Sequence, residues 1–98
     1  MIALTRALAV DHAPLIRANC VCPGSVDTPM LRDAAALFEP GDPQAAVDRW
    51  GQMHPLGRAA RPDEIGEVIA FLAGPRSSFV TGAALLADGG LLSIIGGT

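Results

Sequence analysis

The run NCVCPGSVDTPM, Asn19 to Met30, holds two thiols, a Pro-Gly break and an Asp-Thr-Pro junction within one short stretch. An apolar segment that stops at Pro23-Gly24 and passes straight into Asp27-Thr28-Pro29 has the form of a ligand-site mouth. Thr28 is a good helix N-cap, and Pro29 suits the first helical position. The start of a helix offers unpaired N–H groups to polar ligand atoms. The Thr28 hydroxyl therefore reads as a plain cap, as a ligand contact, or as both. Cys20 and Cys22 face the same side of a strand at a spacing of about 6.5 Å, which is awkward for a disulfide. A metal pair would need further ligands, and only His12 and His54 are on offer. The thiols are expected to be buried, reduced and inert, and both histidines are expected to be solvated.

The elements that must position this junction follow from pattern. MIALTRALAVDHA is rich in Ala and Leu, strong helix formers, with Leu4, Ala7 and Leu8 on one apolar face. Pro14 pushes Ala13 out of helical geometry and ends the helix. IRANCVC is a short, nearly continuous apolar run between prolines, which fits a strand buried on both faces. Met30, Leu31, Ala34, Ala35, Leu37 and Phe38 give the next helix an apolar side. EPGDP breaks it, Asp42-Pro43 repeats the cap-plus-proline signal for PQAAVDRWGQM, and HPLGRAARP is loop. Pro62-Asp63-Glu64 opens the clearest helix, with acids at the positive end of its dipole. Ile65, Val68, Ile69 and Leu72 follow at helical spacing, and Gly74-Pro75 stop it. AALLA, framed by Gly82 and Asp88-Gly89-Gly90, reads as a second buried strand. Two buried strands joined through a helix imply an α/β fold with a right-handed parallel crossover. Ligands bind beyond the carboxyl ends of such strands, where Pro23–Thr28 lies.

Composition sets the limits. The 98 residues make at most one small domain; half are hydrophobic, 17% are charged, and the net charge is −3. No basic stripe points to nucleic acid, and no charge run or low-complexity tract points to disorder. The start does not resemble a signal peptide, and no apolar stretch reaches the roughly 18 residues of a membrane span. A cytoplasmic location is expected. No internal repeat is visible.

In order and spacing, NCVCPGSVDTPM, HPLGRAARPDEIGEVIAFLAGP and SSFVTGAALLADGG resemble the C-terminal part of classical short-chain dehydrogenases/reductases. IALTRALAVDHAP resembles the helix just after that family's catalytic Tyr-x-x-x-Lys. The resemblance covers Met1 to about Leu91. It implies the C-terminal portion of a Rossmann-like doubly wound parallel sheet, with two parallel strands, a crossover helix and lid helices. One incomplete domain is implied: helix, strand and cofactor turn over 1–28, substrate-lid helices over 29–56, helix and last strand over 62–90, and an apolar tail over 91–98. In the family the Pro-Gly-x-Val-x-Thr turn closes over the nicotinamide end of NAD or NADP. Carried over, Pro23 and Gly24 shape the turn, while the Val26 backbone and the Thr28 hydroxyl meet the carboxamide or a nearby phosphate.

The departures are as informative. There is no Tyr, no Lys and no Gly-rich nucleotide turn, and Ser25, Ser77, Ser78 and Ser93 sit unlike the family's catalytic Ser. APLIR lacks the Gly that family members often place before Ile-Arg. No catalytic residue is therefore assigned. The expectation is a fragment of an oxidoreductase that moves hydride between the nicotinamide and an alcohol or carbonyl carbon, inactive alone, with Met1 an internal methionine. Two other readings stay open: a short interaction module that folds on a partner subunit, and an independent enzyme with an unrecognised site. Trp50 is expected to anchor the lid, with a substrate-pocket role for Trp50 and His54 as the alternative. Arg58 and Arg61 read as surface or interface charges. Leu91, Leu92, Ile94 and Ile95 form an apolar end of the kind family members pack on a neighbour, so a homo-oligomer through the first helix and the tail is expected.

Overall fold

The expected alternation appears in the computed structural model, which describes residues 1–95. Helix α1 spans Ile2–His12 and ends where Ala13, ahead of Pro14, takes extended geometry. Strand β1 is Cys20–Pro23. Helices α2, Pro29–Phe38, and α3, Pro43–Gln52, follow. Helix α4 is Pro62–Ala73, a 3-10 turn covers Pro75–Ser77, strand β2 is Ala84–Ala87, and a short helix α5 is Leu91–Ile95. Gly96, Gly97 and Thr98, the end of the expected apolar tail, lie outside the described residues.

The two strands pair in parallel, with Cys20 opposite Ala84 and Pro23 opposite Ala87. Pro23 has no N–H to donate and comes last in the ladder, where its loss costs least. The strand is shorter than IRANCVC, and Ile16 is exposed. Arg17 and Asn19, on either side of Ala18, use side chains where a longer strand would use backbone. Asn19 Nδ2 donates to Val80 O (3.0 Å), and Asn19 Oδ1 accepts from Ala83 N–H (3.0 Å). Arg17 donates to Gly74 O (3.1 Å), Ser77 O (2.8 Å) and Val80 O (3.0 Å) and to Ser77 Oγ (3.1 Å). This fan holds the end of α4 and the following turn against the entry to β1.

Burial is lighter than expected. Val21 and Cys22 are only half-buried, and Leu85 and Leu86 are exposed. The physical reason is that α4 is the helix packed on β1, and no described helix closes the second face. On α4, Ile65, Val68 and Leu72 are half-buried, while Ile69 is exposed. On α1 only Thr5 and Ala9 are buried, so the Leu4, Ala7 and Leu8 face stands uncovered.

Helices α2 and α3 carry their own core. Ala35, Ala46 and Val47 are buried, with Leu31 and Trp50 packed on them. Phe38 meets Trp50 edge to face, with centroids 5.9 Å apart, so Trp50 holds α2 and α3 together. Among the described residues no helix is long and apolar enough to cross a membrane.

Candidate functional site

Three connections meet at the carboxyl ends of β1 and β2: the turn after β1, the loop after α3, and the turn after β2. Each is fixed by an identifiable constraint.

Gly24 is required by proximity. A Cβ there would lie 2.7 Å from His54 Nε2 and 3.1 Å from the Asp88 carbonyl oxygen. The next residue makes the contact polar, since Ser25 N–H donates to His54 Nε2 (3.1 Å). The other ring nitrogen, Nδ1, faces Trp50 O (2.9 Å) and Gly51 O (3.3 Å). Those carbonyls belong to the last turn of α3, where Trp50 O also accepts from Met53 N–H (3.2 Å) and Gly51 O from His54 N–H (3.0 Å), each keeping a second lone pair for the ring. An imidazole with its proton on Nδ1 satisfies every contact.

His54 is therefore not solvated as the sequence suggested; it is 5% exposed. It touches the turn after β1 and does not act as a free surface group. The available signal was its place four residues after Trp50 at a helix end, where a ring donor reaches the last carbonyls of the helix. His12 is exposed, as expected.

Val26 forms an isolated parallel bridge with Ala60. Its bonds run from Asp27 N–H to Ala60 O (2.8 Å) and from Ala60 N–H to Ser25 O (2.8 Å). Ala60 uses both its groups, but on the other chain the bonds fall on Val26's two neighbours. The N–H and C=O of Val26 itself point away from Ala60, without a backbone partner among the described residues. This leaves one donor and one acceptor side by side, the complement of a primary amide.

Thr28 Oγ1 accepts from Leu31 N–H (3.2 Å), and the Thr28 carbonyl accepts from Arg32 N–H (3.0 Å). It is thus the N-cap of α2, with Pro29 at the first helical position. The hydroxyl proton remains for another acceptor. Asp27 pairs with Arg32 through two bonds of 2.8 Å, and this guanidinium holds the Asp27 carboxyl below its usual range. Arg32 also reaches Gln44 at the start of α3, tying α2 and α3 together.

On the β2 side, Asp88 is buried and its carboxylate accepts from Leu92 N–H and Gly90 N–H, both at 3.0 Å. The Leu92 bond above all, with that of Gly90, holds its carboxyl below the usual range. Gly89 and Gly90 have φ of +60° and +89°, the left-handed region that favours glycine. Leu56 N–H donates to Gly89 O (3.1 Å), so the loop after α3 is stitched to the end of β2.

A cavity of about 200 Å³ opens among these parts, lined in part by Gly24, Ser25, His54, Ala60, Ile65 and Asp88. The structure places Pro23, Gly24, Val26 and Thr28 on one continuous turn, but only Gly24 of the four lines this cavity. At its rim Arg58 and Glu64 make a two-bond ion pair (2.6 and 2.9 Å). Arg61 pairs with Asp63 at the surface. Cys20 is buried, Cys22 is half-buried, and both are free. Burial and the adjacent Cys20 push the Cys22 thiol up, away from reactivity. Among the described residues no group of three or more His, Cys, Asp or Glu is placed to hold a metal.

The family profile described as "Enoyl-(Acyl carrier protein) reductase" matches residues 1–92. Oxidoreductase UcpA of Salmonella typhimurium is 43% identical over 91 residues, which are 92% of this chain and 35% of that protein. The chain thus spans about a third of the length of the curated relatives it matches. The ligand-free aldohexose dehydrogenase of Thermoplasma acidophilum superposes with a TM-score of 0.88 at 43% identity, over 94% of this chain and 37% of the other. L-sorbose reductase from Gluconobacter frateurii, solved with NADPH and L-sorbose, superposes with a TM-score of 0.86 at 28% identity, over 93% and 36% respectively. The profile takes in the turn after β1, helices α2 and α3 and both crossover-linked strands, and the chain belongs to the short-chain dehydrogenase/reductase family of oxidoreductases.

Proposed function

We propose that this chain forms the nicotinamide-side wall and substrate lid of an NAD- or NADP-dependent oxidoreductase acting on a small alcohol or carbonyl compound. The observation that carries the reading is the free donor–acceptor pair of the Val26 backbone, next to the Thr28 hydroxyl beyond the carboxyl end of β1. That set fits a nicotinamide carboxamide, which donates through its NH2 and accepts through its oxygen. The bound cofactor supplies the hydride donor or acceptor. Val26 orients the ring, Thr28 adds a hydroxyl while capping α2, and Gly24 lets the turn lie close to the lid. Helices α2 and α3 cover the substrate side and exclude water, with Trp50 holding them together.

The catalytic acid/base is not among these residues, since the chain has neither Tyr nor Lys. In this reading they are contributed by sequence outside the 98 residues, and the chain alone is inactive. The uncovered face of α1 packs on a second copy. The test is a polypeptide that joins this segment to the N-terminal half of such an enzyme. Saturable quenching of reduced-cofactor fluorescence, with hydride transfer to a panel of small ketones, is the expected result. A folded polypeptide of that kind that binds neither NAD nor NADP overturns the reading.

A further inference from the structure

We infer that His54 is a positioning residue that latches the turn after β1 to the lid helix α3 and releases it on protonation. The inference rests on the proposed cofactor role of that turn. One ring spans both parts: Nδ1 is held by the last carbonyls of α3, and Nε2 accepts the Ser25 N–H next to Gly24. Ser25 O in turn accepts from Ala60, the residue whose bridge leaves the Val26 backbone groups free. The path from His54 to Val26 is therefore a single residue of chain with its hydrogen bonds.

Protonation at Nε2 turns the acceptor into a donor, so it faces the Ser25 N–H donor to donor. The bond cannot persist in that state. The groups facing the ring are few. Asp88 comes from the end of β2 with a buried carboxylate. Arg58 and Glu64 line the same cavity but are paired with each other. On α3 itself, Asp48 and Arg49 are engaged by Gln44 and Glu39. The Asp88 carboxylate already accepts from Gly90 and Leu92 but keeps lone pairs for a new N–H, and a ring drawn toward it leaves Ser25 unheld. Gly24 has no Cβ to resist that movement.

The test uses the complete polypeptide that carries this segment, NAD(H) or NADP(H) as probe, and the Ser25 amide as a local reporter. In the cofactor-free protein the Ser25 amide 15N–1H resonance is expected to titrate together with the His54 ring. In His54→Gln, where the amide oxygen can still accept but does not ionise, it is expected to stay fixed. Cofactor KM is expected to rise about fivefold as pH falls through the His54 titration, the size of one modest hydrogen bond, with kcat little changed. In His54→Gln that pH dependence should vanish, and in His54→Leu KM should be high at all pH. A Ser25 resonance that ignores the His54 titration, or the same KM profile in His54→Gln, overturns the latch. If no cofactor binds at any pH, the functional reading fails, and the Ser25 resonance still decides whether the latch exists.

Discussion

In the proposed function Thr28 uses one oxygen for two purposes, and they can be separated. As a cap it accepts from Leu31 N–H; as a ligand contact it donates its proton elsewhere. Thr28→Val removes both. Loss of the cap costs about 1 kcal/mol of stability and leaves the chemistry of folded molecules alone. Loss of the ligand contact mis-sets the nicotinamide, and small misplacements reduce rate out of proportion to binding energy. In the cofactor-binding polypeptide, Thr28→Val is expected to raise cofactor KM or lower kcat by more than its melting curve explains. A lower Tm with both kinetic constants unchanged would leave Thr28 as a cap only. Gly24→Ala tests the neighbouring contact. The new methyl would meet His54 Nε2 at 2.7 Å and backbone at 3.1 Å, and overpacking of this kind costs about 1–3 kcal/mol. The denaturation midpoint reads this directly, and an unchanged midpoint would mean that the ring yields freely. The two residues also show what sequence makes legible. Thr28 was readable because a cap is decided within three residues. His54 was not, because its burial depends on Ser25, 29 residues away.

At the scale of elements, helices α1 to α4 were legible, the strands only in part, and α5 not at all, since Leu91–Ile95 read as an apolar tail. The starts of α2 and α3 fall where Pro follows the expected caps, and α4 starts at Pro62 ahead of its acids, since capping and proline geometry are local. β1 begins at Cys20, because Arg17 and Asn19 bond through side chains to a turn more than 50 residues later. An apolar run cannot reveal that competition. Arg17→Met keeps the stem but strips donors from the carbonyls of Gly74, Ser77 and Val80. It is expected to lower stability by about 3 kcal/mol, within the range for charged hydrogen bonds left unmade, and to loosen the Pro75–Val80 turn in hydrogen exchange. A change under about 0.5 kcal/mol, typical of plain surface sites, would remove Arg17 from the account of the strand entry. The start of α4 gives a pH prediction. Glu64 is held at about 2, from an ordinary 4.5, first by Arg58 and then by the Arg61 N–H. A carboxyl depressed in the folded state stabilises above its unfolded pKa, and that contribution fades as pH falls from 4.5 toward 2. Glu64→Gln is therefore expected to flatten stability against pH across that window. An acid limb identical to that of the parent would show that the pair is screened away.

The whole molecule is longer and thinner than its residue count implies. A compact chain of this size has a radius of gyration near 13 Å, whereas this one has 16.1 Å and extents of 53 × 30 × 22 Å. Its described sheet has two strands, so each strand has one outer edge with unpaired backbone groups. Sheets this small are marginal by themselves, and open edges are templates for pairing with other chains. Leu4 and Leu8 on α1, Ile69 on α4, and Leu85 and Leu86 on β2 add uncovered apolar surface around that sheet. Water contact with so many large aliphatic groups is unfavourable at about 25 cal/mol per Å², and self-association is the simplest way to reduce it. Expressed as these 98 residues alone, the protein is expected to be oligomeric or aggregating, to melt without a sharp cooperative transition, and to show no saturable NAD(P) binding by calorimetry. Light scattering and a thermal melt on the same sample check the first two points. A monodisperse monomer with a steep melt would show that the lid core and the Arg17 fan suffice for folding. Micromolar cofactor affinity in that monomer would show that the turn after β1 binds nicotinamide without a phosphate-binding partner, and the wall would then be a site in its own right.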